Sequence, residues 1–233
     1  MNKTGFKLGN EVYLMGVFSV LALLIINVFQ LDFVIADGIY ALTNSWYYQE
    51  QWFTSVFMHL YMKYALILLY LVLLLKFFLR DKSTEDRVQR YGKIVLLTSL
   101  LLGTLTVSYL KHTLQVDCPW DLVRYGGDKP YFALFSYGQT YLPSSHCFPS
   151  GHASSVFTWL SLYFYTAIYY PKHRLKILLA ILVLGYVLGL GQQFRGAHFL
   201  SHDIWSMLVC LMVNLIIYKA AFSQWSINKV VKK

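Results

Sequence analysis

The chain has 233 residues, of which 57% are hydrophobic and 13% charged, with a formal net charge of +9. An aqueous domain carries about 25% charged residues, so this composition excludes an ordinary soluble fold and reads as one membrane domain, residues 1–233. The basic residues sit in short clusters between apolar runs, a pattern of membrane topology rather than of a nucleic-acid surface.

A membrane-crossing helix needs about 20 mostly apolar residues. Six runs qualify in chain order: Tyr13–Phe29, Val56–Leu79, Ile94–Leu110, Ala153–Tyr170, Leu175–Phe194 and Ile204–Tyr218. The expected fold is therefore all-α, a polytopic membrane protein with six transmembrane helices. The first run reads as a retained span and not a cleaved signal peptide. Its apolar core is longer than a signal core, and its head is weakly basic, Lys3 and Lys7 against Glu11. Residues 30–55, rich in Trp and Tyr, read as one or two short helices lying at the outer interface. Residues 80–93 form a charged loop. Residues 112–148 hold Pro119, Gly126, Gly127, Pro130 and Pro143 and read as a long irregular loop. No repeat and no nucleotide-binding glycine fingerprint is present.

With six spans, 15 of the 20 Lys and Arg residues fall on the side that holds both termini. The positive-inside rule makes that side cytoplasmic. Lys63, Lys111, Arg124, Lys129 and Arg195 are left on the outer side. Lys63 reads as snorkelling to the interface, and Lys129 as ordinarily solvated. Of three cysteines, Cys210 lies inside the sixth run, while Cys118 and Cys147 share the outer loop. In a bacterial inner membrane that loop faces an oxidising compartment. A Cys118–Cys147 disulfide and two buried thiols are both open.

The polar residues hardest to place in a membrane gather at the outer ends of spans. Lys111 closes the third run. Ser150, Gly151 and His152 open the fourth. "FRGAHFLSHD", Phe194 to Asp203, joins the fifth to the sixth. Ionisable groups at membrane depth are expensive and tend to be functional. Lysine, arginine, a hydroxyl, a glycine amide and histidines have an oxyanion as their common ligand. A helix start offers free amides, Gly151 lets a ligand approach the backbone, arginine supplies a two-pronged fork, and histidine can serve as nucleophile or proton donor near neutrality.

"PSGH" at Pro149–His152, with "RGAHFLSHD" downstream and Lys111 upstream, resembles the type 2 phosphatidic acid phosphatase superfamily. That family carries Lys-x6-Arg-Pro, Pro-Ser-Gly-His and Ser-Arg-x5-His-x3-Asp. The second motif matches fully. In the first, Lys111 and Pro119 match and Cys118 stands in the arginine's place; Arg124 is the nearby substitute for its charge. In the third, His198 matches the nucleophile. Gln192 stands where the arginine belongs, with Arg195 three residues nearer. His202 stands where the aspartate belongs, with Asp203 one residue on.

The resemblance implies a metal-independent phosphatase with no cofactor, acting on a phosphorylated lipid in the bilayer. His198 forms a phosphohistidine, and Asp203, or His202, orients it. His152 moves the proton. Lys111, Ser150, Gly151, Arg195 and Arg124 bind phosphate. It implies a multi-pass inner-membrane protein with cytoplasmic termini and a periplasmic site. Phosphatidic acid, phosphatidylglycerol phosphate, a polyprenyl diphosphate and a lipid A phosphate are all candidate substrates. A phosphotransferase and a non-catalytic anion or lipid binder remain alternatives. So does a zinc site built from His198, His202 and His152. Ser150 as an acyl-hydrolase nucleophile lacks a Gly-x-Ser-x-Gly elbow. His59, His112 and His146 receive no role.

Overall fold

The apolar runs fold as helices, as a membrane requires of a backbone that must satisfy its own hydrogen bonds. The computed structural model describes residues 9–80, 86–132 and 145–223. Pro143 and residues 81–85, part of the charged loop, lie outside the described residues, as do both termini. In order, the helices are α1 (Asn10–Val28), α2 (Leu31–Ala41), α3 (Phe53–Leu79), α4 (Arg87–Leu114), α5 (Gly151–Phe157), α6 (Leu160–Tyr169), α7 (Arg174–Phe194) and α8 (Leu200–Ala221). The first nine residues of α3, Phe53–Tyr61, are π-helical. Among the described residues the extended structure amounts to one isolated bridge, Leu122 to Lys129.

Five helices, α1, α3, α4, α7 and α8, are long and apolar enough to cross a membrane. Their outward faces carry exposed large side chains such as Phe18, Leu68, Leu75, Leu105, Leu179 and Ile216. Continuous exposed apolar surface on this scale fits a multi-pass membrane protein and not an aqueous one.

The run expected over Ala153–Tyr170 is two helices, α5 and α6, parted at Thr158 and Trp159. The cause is local. Ser154, Ser155 and Thr158 each donate their hydroxyl to the carbonyl three residues back, at 2.9, 2.6 and 3.3 Å. Such back-bonding bends helices. The turn then tightens, with Trp159 N to Val156 O at 2.9 Å and Leu162 N to Trp159 O at 2.8 Å.

This broken element is the centre of the molecule. Ala153, Phe157, Leu160 and Phe164 are wholly buried, packed with Met207, Cys210 and Tyr218 of α8. Four α8 side chains at nearly helical repeat reach four of its carbonyls. Ser206 Oγ donates to Ser150 O (3.0 Å), Cys210 Sγ to Ser154 O (3.9 Å), Asn214 Nδ2 to Thr158 O (3.5 Å) and Tyr218 Oη to Ser161 O (2.8 Å). Both sequences rise together, so α8 runs parallel to α5 and α6. On α7, Gly185 faces the Phe157 ring and Gly189 faces the Asp203 carboxylate so closely that a Cβ at either would collide. Small residues let membrane helices approach in this way.

An outer layer covers the end where α5 and α8 begin. α2 packs Ala36 and Ile39 on Trp46, Leu122, Tyr125 and Phe199. Asp37 of α2 takes the Arg124 fork, Nε at 2.8 Å and Nη2 at 2.5 Å, and accepts Tyr125 Oη at 2.9 Å. The guanidinium holds the Asp37 carboxyl below the usual carboxylate range. Asp32 accepts the Ser201 amide (2.9 Å) and hydroxyl (2.5 Å), so a residue of α2 caps α8. Burial pushes the Asp32 carboxyl up, and the Ser201 bonds only partly offset this. Cys118 and Cys147 are bonded, their Cα atoms 5.1 Å apart. Lys129 is not simply solvated: its Nζ meets Asp117 at 2.8 Å, with both side chains largely covered.

The contacts between α8 and the broken element carry stability. Tyr218→Phe keeps the ring and deletes the bonds to Ser161 O and Ser161 Oγ (3.2 Å). Interhelical bonds in membranes average about 0.6 kcal/mol and reach about 1.7. Thermal unfolding in detergent should show a loss in that range, and an unchanged midpoint would show that the ladder contributes nothing.

Candidate functional site

Three segments converge at the N-terminal end of α5. Lys111 lies in the last turn of α4, and its ammonium would sit 3.1 Å from a Cβ placed on Gly151. A side chain there would crowd the ammonium. The backbone before α5 is pinned to this helix end: His146 Nδ1 lies 3.0 Å from Lys111 O, and Cys147 N donates to Val116 O at 2.7 Å.

The third segment follows α7. The helix ends in a Schellman turn, with Gly196 N to Gln193 O and Ala197 N to Gln192 O both at 2.9 Å. Gly196 takes the left-handed conformation this ending needs, φ 72°. Arg195 is thereby held at the C-cap and His198 two residues before α8. Gly196 O also accepts Trp120 N at 2.9 Å, so the outer loop braces the turn.

His198 is buried. Burial holds its imidazole well below the ordinary histidine range, and the charges of His202, Lys111 and His152 act in the same direction. It is therefore a neutral ring at pH 7, as a nucleophile must be. His152 has the cations Lys111, Arg195 and Lys63 and the His59 ring as its electrostatic neighbours. The structure thus sets Lys111, Gly151 and His152 on one cavity, with Arg195 and His198 within electrostatic reach of His152.

The other expected residues are placed differently. Ser150 is fully buried beside Asp203, with neither Ser150 Oγ nor Asp203 Oδ1 in a well-formed hydrogen bond. Asp203 Oδ2 accepts Gln193 Nε2 at 2.7 Å, and His202 Nδ1 pairs with Cys147 O at 3.1 Å. His198 Nδ1 has no hydrogen-bond partner, so neither Asp203 nor His202 meets it there. The Arg124 fork is filled by Asp37. Among the described residues no group of three or more His, Cys, Asp or Glu has the arrangement to hold a metal ion.

Two residues without an expected role join the cluster from α3. His59 stacks on His152 with ring centroids 3.9 Å apart. Lys63, one turn on, lines the same cavity as Lys111 and His152. Their i,i+4 spacing was visible, but nothing in the sequence said which face of α3 met the site.

That cavity, about 380 Å³, opens between α3, α4 and α5. Lys63, Lys111, Gly151 and His152 form its polar end. Leu66, Ile67 and Tyr70 of α3 and Leu100, Leu101 and Val107 of α4 wall the rest.

No curated protein and no solved structure matches the chain. The sequence profile of the PAP2 superfamily matches residues 92–226, more than half of it. That span contains Lys111, the Pro149–His152 tetrad and His198, the residues gathered at this cluster, and leaves out His59 and Lys63. The chain belongs to the PAP2 superfamily, whose membership supports a phosphatase-type activity.

Proposed function

We propose that this protein removes phosphate from a membrane lipid through a phosphohistidine on His198. The observation that carries the reading is the shape of the cavity: a basic end formed by Lys63, Lys111, Gly151 and His152, continuous with a mostly apolar slot between α3 and α4. A phosphate fits the first and a hydrocarbon chain the second.

The chemistry follows from the placement. A nitrogen of the neutral His198 ring attacks phosphorus, and the ester P–O bond breaks. His152 delivers a proton to the departing oxygen. It then takes one from water, whose oxygen displaces the histidine and releases phosphate. Lys111, Arg195 and the Gly151 amide stabilise the charge on phosphorus during both steps. Asp203 acts at one remove, by fixing Gln193 and the Ser150 wall, and His202 by fixing the Cys147 carbonyl. The reaction needs no metal ion.

The same proposal has six crossings. α5, Thr158, Trp159 and α6 together run from Gly151 to Tyr169, about 28 Å at 1.5 Å per residue, against a hydrocarbon core of about 30 Å. In this reading the site lies at the outer face, periplasmic in an inner membrane, as the Lys and Arg distribution supports. The termini then lie on the Lys- and Arg-rich cytoplasmic side, with α2 at the interface. The Cys118–Cys147 bond accords with an oxidising compartment.

Detergent-purified protein should release phosphate, in EDTA, from one or more of phosphatidic acid, phosphatidylglycerol phosphate, a polyprenyl diphosphate and a lipid A phosphate. His198→Ala should retain less than about one thousandth of that rate with its thermal midpoint unchanged. A fully active His198→Ala enzyme, or loss of wild-type release on chelation, would sink the proposal. Transfer to a second lipid with no free phosphate would make the protein a transferase. Arg124→Gln removes an exposed ion pair, 53% and 43% accessible, worth about 0–1 kcal/mol. Its kcat/KM should stay within about threefold of wild type, because a pair of that strength spans less than tenfold in any equilibrium it touches. A hundredfold fall would return Arg124 to the phosphate site.

A further inference from the structure

His59 lies in the π-helical start of α3, outside the region matched by the family profile. Its ring stacks on His152, centroids 3.9 Å apart and planes 31° apart. At its other edge Nδ1 lies 2.9 Å from Arg195 Nη1. Arginine has donors only, so Nδ1 accepts and the ring proton sits on Nε2. Gln192 Oε1 lies 2.9 Å from the same Nη1 and 3.4 Å from His59 Nδ1. The two are both acceptors, each taking one Nη1 hydrogen. Arg195 Nε is tied to Gln49 O at 3.0 Å. These bonds leave the Nη2 amino group.

The charge around His59 is one-sided. Arg195, Lys63 and Lys111 act on it, and the same three act on its stacking partner His152; no carboxylate is among them. Lys63 is exposed and His59, Lys111 and Arg195 are half-buried, so an incoming anion can reach this charge and would balance it. The network reaches the cavity's polar end through His152, and among the described residues His152 Nε2 and Gln192 Nε2 are buried without partners.

We propose that His59 is a positioning residue of the phosphate site, which holds the displaced Arg195 guanidinium and the His152 ring in place for an incoming phosphate. Gln192 occupies the position where an arginine would have reached the site from α7 directly. Arg195 comes from the turn after the helix, and a side chain from α3 must fix its direction. The inference rests on the phosphatase reading above.

The test compares two substitutions. His59→Asn puts an amide oxygen near the place of Nδ1 and keeps an acceptor for Arg195. His59→Leu keeps the bulk and loses it. A hydrogen bond to a charged group is worth about 1.5–3 kcal/mol, so His59→Leu should lower kcat/KM by about tenfold to a hundredfold. His59→Asn should recover to within about fivefold of wild type, less than the energy of one such bond. In an Arg195→Ala background His59→Leu should cost less than about threefold, the non-additivity of two residues acting as one. Equal losses in both variants, or an undiminished loss without Arg195, would overturn the inference and leave His59 a packing residue.

Should the wild type release no phosphate, the phosphatase reading falls, and the same variants are read by the thermal shift that orthovanadate induces. Vanadate affinity lowered about tenfold by His59→Leu and kept by His59→Asn supports the positioning role, because tenfold is the lower bound set by one charge-assisted bond. Equal affinity in both, or no vanadate binding by the wild type, removes it.

Discussion

The structure depends on a parallel seam between α8 and the broken helix pair α5–α6. Ser206, Cys210, Asn214 and Tyr218 bond the carbonyls of Ser150, Ser154, Thr158 and Ser161. Lipid chains are as apolar as leucine, so membrane helices gain little by burying apolar surface against each other; close packing and hydrogen bonds set their register. The four bonds run along the whole pair, and in this register the starts of α5 and α8 lie side by side. The tetrad at Pro149–His152 opens one helix and His198 directly precedes the other.

That register has a cost, concentrated where a ligand would sit. Eight buried side-chain polar atoms lack a hydrogen-bond partner among the described residues, and five of them belong to Ser150, His152, Gln192, His198 and Asp203. Native structures leave few such atoms without a reason. Ser150 and Asp203 lie against each other, while His152 lines the cavity beside Lys63 and Lys111. An oxyanion at the proposed site would accept from a donor such as Gln192 Nε2 and balance the charge of these cations. The outer layer holds the surrounding backbone in shape from above, through the Asp32 cap on Ser201 and the Trp120 bond to Gly196.

Much of this was legible in the sequence, because membrane helices announce themselves by length and the tetrad by its chemistry. Helix bounds near 174–194 and 200–221 follow directly from the apolar runs. The break at Thr158 was not legible, since the run Ala153–Tyr170 is as apolar as its neighbours and the bend comes from hydroxyls turned onto the backbone. Arg124 looked like a replacement for the missing first-motif charge by nearness in sequence. Its partner is Asp37, 87 residues away, and no spacing rule reaches that far. His59 was passed over for the opposite reason. Its contacts with His152 and Arg195 span α3, α5 and the turn after α7, and only the packed fold brings those together.

The two departures from the family's motifs then have physical counterparts. Cys118 stands in the arginine's place of the first motif, and its sulfur is bonded to Cys147, three residues before Ser150. With the His146 contact to Lys111 O, the bond ties the end of α4 to the start of α5. Closing a 29-residue separation restricts the unfolded chain by about 3–4 kcal/mol. What an arginine would have supplied there as charge is supplied here as fixed distance between Lys111 and the Gly151 amide. In the proposed site the charge comes from Arg195, whose side chain leaves the turn after α7 and is held by Gln49, Gln192 and His59. A fork clamped on two edges presents its third edge in one orientation. A phosphate site of this kind tolerates displaced motif residues because what it requires is donors at fixed positions, whichever helix brings them.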